Sequence, residues 1–412
     1  MEKIKTAKSG YRWVILALYM YVTALTQLFW LNFASIDTFM ESFLGVSAMK
    51  VGLLAMIFPL TYLVISIPSG IIIDKKGFKF SVSLGAGLTM IFSLFRLISP
   101  GSYGMLLVSQ LGISLGQPFV LNSMTKLATE WFPADEEATA VGLGSISLFI
   151  GMLISLGATP LLVEKLGFTE MLLIYSGMAF IGFLLFTLFV KEKPAMPSHL
   201  EATSPAGKDV DEITSYREGL KQLFGMRDFL LLGFLALIGI GAFNGLATWL
   251  EKILSESHGI TMIQAGNISG ALVFSGMTGC IVLPLLSDRV KKRRPFIIVD
   301  SIIAVISMII LIFARGYILN LLNGILLGFF LISALPIMLT MSAEIAGPKL
   351  AGVSVGYLQL LGNGAAVLIV PAMEYLRNLT SRYTLSLVFL GILFVISTIF
   401  ALLIRESITD KT

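Results

Sequence analysis

The sequence predicts an all-α membrane protein of twelve transmembrane helices, arranged as two six-helix halves. Three observations predict it. Of 412 residues, 56% are apolar and only 13% are charged, with a mean hydropathy of +0.90; soluble domains carry charge about twice as often. Apolar runs of about 20 residues, the length that crosses the hydrocarbon core, recur along the whole chain. Landmarks of the first half return in the second at a fixed offset. An ordinary soluble enzyme, a disordered chain and a single-span receptor are thereby excluded.

Spans are expected at 13–40, 48–73, 80–98, 103–131, 138–162, 168–190, 229–252, 261–287, 295–313, 317–343, 350–373 and 382–404. Each must be a helix. Backbone N–H and C=O groups in hydrocarbon have to pair within their own segment, and the runs are too long for barrel strands. The charged residues 1–10 lead directly into a full-length span, so the first span is read as retained rather than cleaved. An even number of spans puts both termini on one face. Loops on that face carry 21 Lys and Arg, against 7 on the other, Arg96 and Lys252 among them. This orients both termini to the cytoplasm of a multi-pass protein of the cell membrane. The polar stretch 191–228 holds Pro194, Pro197, Pro205 and a short amphipathic segment at 216–224. It reads as a cytoplasmic linker with one interfacial helix, dividing an N-terminal half, 1–190, from a C-terminal half, 229–412.

The halves echo each other. After the second span comes Gly70-Ile-Ile-Ile-Asp74-Lys75-Lys76-Gly77-Phe78-Lys79. After the eighth comes Pro284-Leu-Leu-Ser-Asp288-Arg289-Val-Lys291-Lys292-Arg293-Arg294. Asp288 follows Asp74 by 214 positions, and Pro348 follows Pro133 by 215. A shared offset at two landmarks marks a duplicated unit. Two parallel six-helix halves around a midplane site describe a major facilitator transporter.

The loop from Gly70 to Lys79 resembles the signature loop of the major facilitator superfamily, Gly-x-x-x-Asp-Arg/Lys-x-Gly-Arg/Lys; in the second copy Pro284 replaces the glycine. The resemblance implies that Gly70, Asp74, Lys75, Gly77 and Lys79, with Asp288 and Arg289, hold the halves together on the cytoplasmic side. A narrower resemblance covers most of the chain. Phe29-Trp30-Leu-Asn32-Phe33 through Glu41-Ser-Phe43-Leu-Gly45-Val46 resembles the first span of the feline leukaemia virus subgroup C receptor family. Gly116-Gln117-Pro-Phe-Val-Leu-Asn122 through Lys126-Leu-Ala-Thr-Glu130-Trp131-Phe132 is similar to its fourth. Leu335-Pro336, followed by Glu344, Pro348, Gly352, Ser354 and Gly356, is similar to its tenth and eleventh. Members of that family carry choline and ethanolamine, and haem export has also been attributed to them. By this resemblance Trp30 falls on a cage tryptophan, Gln117 on a substrate-facing glutamine and Asn363 on a glutamine of the eleventh span. Asn244 stands where the family's cage tyrosine would be, so one wall of an aromatic cage is missing.

In the major facilitator arrangement the first, fourth, seventh and tenth helices line the cavity. Polar side chains at that depth are costly unless they face water or one another. Tyr19, Thr23, Thr26, Trp30, Phe33 and Asp37 share one face of the first span, with Asn32 beside them. Trp30 suits cation–π capture of a quaternary ammonium, worth about 2 kcal/mol when dry, a place in the interfacial aromatic belt, or packing between helices. Gln117, at the centre of the fourth span, either orients a hydroxyl or carbonyl of a ligand or bonds a neighbouring helix. The same two roles are open to Asn244, beside Phe243, and to Gln359 and Asn363. Lys126 and Glu130, one turn apart, are expected to neutralise each other, either as a structural pair or as part of an inner gate with Glu344; an anion-binding role for Lys126 is the alternative. Gly142, Gly144, Gly352 and Gly356 are expected to permit close packing near that gate. No Asp or Glu falls at the centre of a span, which favours facilitated diffusion. Asp37, on the face of Trp30, is the exception, as a coupling group or as a rim charge that attracts cations.

Other function classes are disfavoured. A lone Cys280 and two distant histidines, His199 and His258, supply neither a disulfide framework nor a metal cluster; no metal and no cofactor are expected. Gly207-Lys208 lacks both the earlier glycine and the following hydroxyl of an ATP-cradling loop. The spans offer no nucleophile–base pair, so an enzyme is not expected. Basic residues flank spans, which makes the bilayer the partner rather than nucleic acid. The reading is a monomeric secondary active or facilitative transporter. It moves a small organic solute, such as a choline-like organic cation, by alternating access. Two alternatives are an exporter of a larger amphipathic molecule such as haem or a drug, and a non-transporting membrane sensor. For the latter, the linker is too short to supply a signalling domain.

Overall fold

The computed structural model describes residues 10–193, 219, 221–347 and 350–406. Most of the linker 191–228, His199, Pro348 and the two charged termini lie outside them; of the amphipathic segment 216–224, residues 219 and 221–224 are described, and they are helical, with Leu223 buried. Among the described residues every regular element is helical: α1 Tyr11–Leu31, α2 Asp37–Leu44, α3 Ala48–Phe95, α4 Tyr103–Leu121, α5 Met124–Trp131, α6 Ala134–Leu166, α7 Phe168–Phe189, α8 Arg227–His258, α9 Met262–Val290, α10 Arg294–Phe313, α11 Tyr317–Ala346, α12 Ala351–Thr380 and α13 Thr384–Leu403. Eleven helical segments are long and apolar enough to cross a membrane. One of them is two crossings. The 48 residues of α3 would span about 72 Å at 1.5 Å per residue, more than twice the hydrocarbon core. The helix breaks at Gly77, where φ is 86° and ψ 170°. Only glycine adopts that conformation readily, and a Cβ there would also collide with the Glu192 carboxylate. Twelve crossings result. The first is shorter than the expected 13–40: α1 stops at Leu31, a 3₁₀ turn covers Ala34–Ile36, and Asp37 opens the separate helix α2.

The chain forms two compact units. One comprises Met1–Phe33, Ser42–Val46 and Thr61–Ala206; the other comprises Ala34–Glu41, Ser47–Leu60 and Gly207–Thr412. The turn after α1 and the first part of α3 therefore pack with the later helices. Ile15, Tyr19, Phe78, Val120, Trp131 and Phe186 belong to the core of the first unit; Phe229, Leu235, Ile297, Met338 and Leu358 belong to that of the second. In the first unit a Cβ at Gly116 would lie 2.6 Å from the Gly85 carbonyl oxygen, so α3 and α4 cross backbone to backbone. The glycines expected to do this near the inner gate behave otherwise. Gly144 faces the Met124 side chain, while a Cβ at Gly142, Gly352 or Gly356 would meet nothing within 4 Å. A glycine permits close approach only where a second backbone faces it, and none does at those three.

Candidate functional site

Within the first unit, several polar side chains on α1 and the elements around it are already engaged. Tyr19 is buried and donates its hydroxyl to the Val120 carbonyl at 3.0 Å, stapling α1 to α4. Phe33 is fully buried, and its ring stands 4.9 Å from the Arg96 guanidinium, as does that of Phe29. Arg96 also donates to the Gln110 side-chain oxygen, and the Gln110 amide donates to the Phe29 carbonyl at 3.3 Å. An arginine counted among the outer loops is thus an internal cation, held by two aromatic faces. Asn32 is fully buried beside this group. On α4, Ser114 is 2.9 Å from Thr61; just past its end, Asn122 accepts from the Tyr62 hydroxyl at 3.0 Å and donates to Ser69 at 2.9 Å.

Two predicted residues are different. Trp30 is 9% exposed and Gln117 5%. Among the described residues neither the Trp30 indole N–H nor the Gln117 amide has a hydrogen-bond partner, yet their polar atoms are not sealed off. The other buried tryptophans are committed: Trp131 donates to the Glu192 carbonyl at 3.2 Å and Trp249 to the Val370 carbonyl at 3.0 Å. A buried amide or indole left with accessible, unpaired polar atoms is poised for a ligand or water.

At the loop after the second span, Lys126 pairs with Asp74 at 3.8 Å and also reaches the Asp74 carbonyl, while Glu130 pairs with Lys193 at 3.9 Å. The expected Lys126–Glu130 pair is therefore not the one formed: the loop of α3 places Asp74 nearer to the ammonium than the residue one turn on. Asp74, Lys75 and Lys76 are exposed, and Lys79 and Gly70 are half-buried. In the second unit Arg293, 8% exposed at its side chain, joins Asp288 at 2.5 Å and Glu344 at 3.0 Å; Arg289 is exposed.

The second unit holds the remaining predicted residues. Asn244 is buried and donates to the Ile240 carbonyl at 2.8 Å; Asn363 donates to Gln359 O at 2.9 Å. Both amides keep their oxygens for another donor. Phe243 and Gln359 are half-buried. Asp37, buried to 1% exposure, lies in a charged cluster that composition did not reveal. Glu251 accepts from the Thr38 N–H and hydroxyl at 3.1 Å each. Lys252 pairs with Glu41 and, at 3.7 Å, with Glu256. Arg377 pairs with Glu256 at 2.7 Å and Glu374 at 3.5 Å. Burial holds the Asp37 carboxyl well above the usual carboxylate range, against the pull of the Lys252 ammonium. Lys252, assigned to an outer loop by counting, is buried because its partners come from α2 and its own helix. One further acid went unnoticed in the sequence: Asp300 on α10, which stands inside a span but away from its centre.

Twelve apolar crossings in two helical units, with unpaired polar groups inside the first, define a polytopic membrane carrier. The chain belongs to the Major Facilitator Superfamily, whose family model matches residues 13–371. It is 27% identical to an uncharacterized MFS-type transporter of Caenorhabditis elegans, over 99% of this chain and 71% of that protein. It is also 27% identical to the rat choline/ethanolamine transporter FLVCR2 (87% of this chain, 67% of that protein) and to the mouse choline/ethanolamine transporter FLVCR1 (87% and 69%). Among solved structures it resembles an inward-facing, unoccupied bacterial homologue of the lysosomal transporter Spinster, with a TM-score of 0.75 at 16% identity, covering 96% of this chain and 97% of that one. The fucose:proton symporter FucP of Escherichia coli gives 0.62 at 15% identity, covering 96% and 99%. The protein is a solute transporter that works by alternating access, and it is a multi-pass membrane protein.

Proposed function

We propose that the transported solute is a small organic cation of the choline–ethanolamine type. The observation that carries this is the pair Trp30 and Gln117: both are buried, and both are left with unengaged polar atoms, whereas the other buried tryptophans and Gln110 are spent on structure. An indole face attracts an ammonium, and an amide orients the alcohol of the same small molecule. The relatives named as choline/ethanolamine transporters support the reading. Asn244, Phe243, Gln359, Asn363 and Asn32 are proposed to contact the solute along its path. Tyr19 and Phe33 are proposed to hold the helix that presents Trp30. The charged loops, with Gly70, Asp74, Lys75, Gly77, Lys79, Lys126 and Glu130 in one unit and Asp288, Arg289 and Glu344 in the other, are proposed to steady the cytoplasmic ends. The excess of basic residues on one face, 21 against 7, supports a cell-membrane orientation with both termini cytoplasmic. The working form is proposed to be a monomer without enzymatic activity.

The test is thermal stabilisation of the purified chain by choline, ethanolamine, betaine and haem, repeated with Trp30→Ala and Gln117→Ala. Choline or ethanolamine is expected to raise the midpoint of the wild type, and Trp30→Ala to weaken the apparent affinity at least about tenfold, the equivalent of roughly 1.4 kcal/mol. Equal stabilisation of wild type and Trp30→Ala would remove the cation–π role. Stabilisation by haem alone would replace the substrate class.

A further inference from the structure

Helix α10 carries one carboxyl inside the membrane, Asp300, six residues from its start. It is 3% exposed, and among the described residues neither of its oxygens has a hydrogen-bond partner. It borders a cavity of about 20 Å³, room for one water molecule. Ser301 and Ser397 bring hydroxyls to the same cavity, 3.2 Å from each other, and Leu331, Ala334 and Phe394 line it with apolar surface. The Ser301 hydroxyl is itself donated to the Ile297 carbonyl at 2.9 Å.

The groups facing Asp300 are few. Helices α8, α11 and α13 turn apolar side chains, a glycine and Ser397 toward the cavity. Among the described residues, the titratable group within electrostatic reach is the Cys280 thiol on α9, which is donated to the Ile332 carbonyl. A carboxylate without donor or counter-charge in such surroundings is costly, whereas a neutral acid is not. The cavity therefore calls for one positive charge. A metal cation gives up its water only for a fuller shell of oxygens than three side chains in this volume supply, but a proton fits. Buried acids of membrane helices recur as proton carriers.

We propose that Asp300 is a proton-binding site that loads and unloads during the transport cycle, linking solute movement to proton movement. The carboxyl O–H stays intact while the cavity excludes water. When water enters beside Ser301 and Ser397, the O–H bond breaks, the proton passes to that water, and it returns by the same route; nothing else is consumed. The site belongs to one half only, because the residue 214 positions earlier is Ala86. This inference rests on the protein being a transporter and not on choline being its solute.

The full chain is reconstituted in phosphatidylcholine vesicles and followed by infrared difference spectroscopy against pH. The wild type is expected to show the C=O stretch of a protonated carboxyl near neutral pH. Asp300→Asn is expected to lose one such band that Asp37→Asn retains. A spectrum unchanged by Asp300→Asn overturns the proposal. A band removed by adding sodium at constant pH overturns it in favour of a metal-cation site. In the same vesicles, an inwardly acidic pH gradient is expected to change [14C]choline flux several-fold in the wild type and not in Asp300→Asn; equal gradient dependence in both overturns the coupling. If choline is not carried at all, the substrate reading fails and the infrared arm still decides the site. Should Asp300→Asn not fold, Asp300→Glu is expected to shift the pH midpoint of the band, and an unshifted midpoint overturns the assignment.

Discussion

The loop after the second span and the loop after the eighth are built from matching residues and closed to different degrees. Asp74, Gly77, Lys79, Glu130 and Glu192 have counterparts 214 positions on in Asp288, Lys291, Arg293, Glu344 and Glu406. The terminal glutamates act alike. Glu192 accepts the backbone N–H groups of Phe78 and Lys79 at 2.8 Å each, and Glu406 accepts those of Arg293 and Arg294 at 2.8 and 3.2 Å. Each puts a carboxylate on the orphan N–H groups that open a helix, with the macrodipole in its favour. The basic residue differs. Arg293 serves Asp288 and Glu344 together, whereas in the first loop the carboxylates are split between Lys126 and Lys193, at 3.8 and 3.9 Å. A planar guanidinium can face two carboxylates at once; an ammonium is a point charge on a flexible stem. Duplication kept the helix caps, and one copy alone carries a tight charge relay.

Buried charge inside the membrane follows the same asymmetry. The 214-residue offset holds both before and after this stretch, at Lys79/Arg293 and Glu130/Glu344. Carried through it, Asp300 matches Ala86 and Arg96 matches Ile310. The first unit has a buried cation clasped by Phe29 and Phe33; the second has a buried acid beside a small cavity. The helical scaffold repeats while its costly groups do not, as expected if those groups serve separate tasks in a common frame.

The largest effect that would sharpen this comparison lies at Gly77. Its φ of 86° and ψ of 170° are open to glycine alone, and a side chain would displace the Glu192 cap. Gly77→Ala should cost about 3 kcal/mol, read as a lowered unfolding midpoint in detergent. A cost below about 1 kcal/mol would mean that the break in α3 is not fixed by this residue. Next comes Arg293→Ala. Removing one partner of a buried ion pair costs several kcal/mol, but Asp288 is 58% and Glu344 28% exposed at the side chain, so water takes up part of the loss and about 2 kcal/mol is expected. Lys126→Ala, which breaks a pair whose acid is 82% exposed, should cost less than about 0.5 kcal/mol. Equal costs would erase the distinction between relay and loose pair.

These contrasts also show where the sequence was readable. Twelve crossings and the 214-residue repeat follow from apolar run length and residue identity, which are local, and the structure bears out the all-helical membrane fold. Partnerships between distant residues are not local. Spacing offered Glu130 to Lys126, but the ammonium is met by Asp74, 52 positions earlier. Arg96 and Lys252 read as loop cations because each lies near the outer end of its span, and only the fold supplies Phe29 and Phe33 to one and Glu41 to the other. Asp300 stands off the centre of its span, so its position alone does not mark it; the signal is the lone carboxyl in Phe296-Ile-Ile-Val-Asp300-Ser301-Ile-Ile. Trp30 and Gln117 were legible as residue types in the right helices. That their polar atoms are unengaged depends on what every neighbour does.

The smallest expected effect concerns the counterpart of Gly77. Lys291 also has a positive φ, 54°, but with ψ of 41° it occupies the left-handed helical region. A side chain is tolerated there at a cost of about 1 kcal/mol. Replacing it with glycine relieves that strain and adds freedom to the unfolded chain worth roughly 0.5–1 kcal/mol. The two contributions nearly cancel, so Lys291→Gly should shift stability by less than about 0.5 kcal/mol. Measured beside Gly77→Ala, it separates two explanations of the shared turn. If both substitutions are costly, the residue identities themselves are required. If only Gly77→Ala is costly, the second loop has relaxed into a conformation that any side chain can adopt, which fits a copy held shut by Arg293 rather than by its backbone.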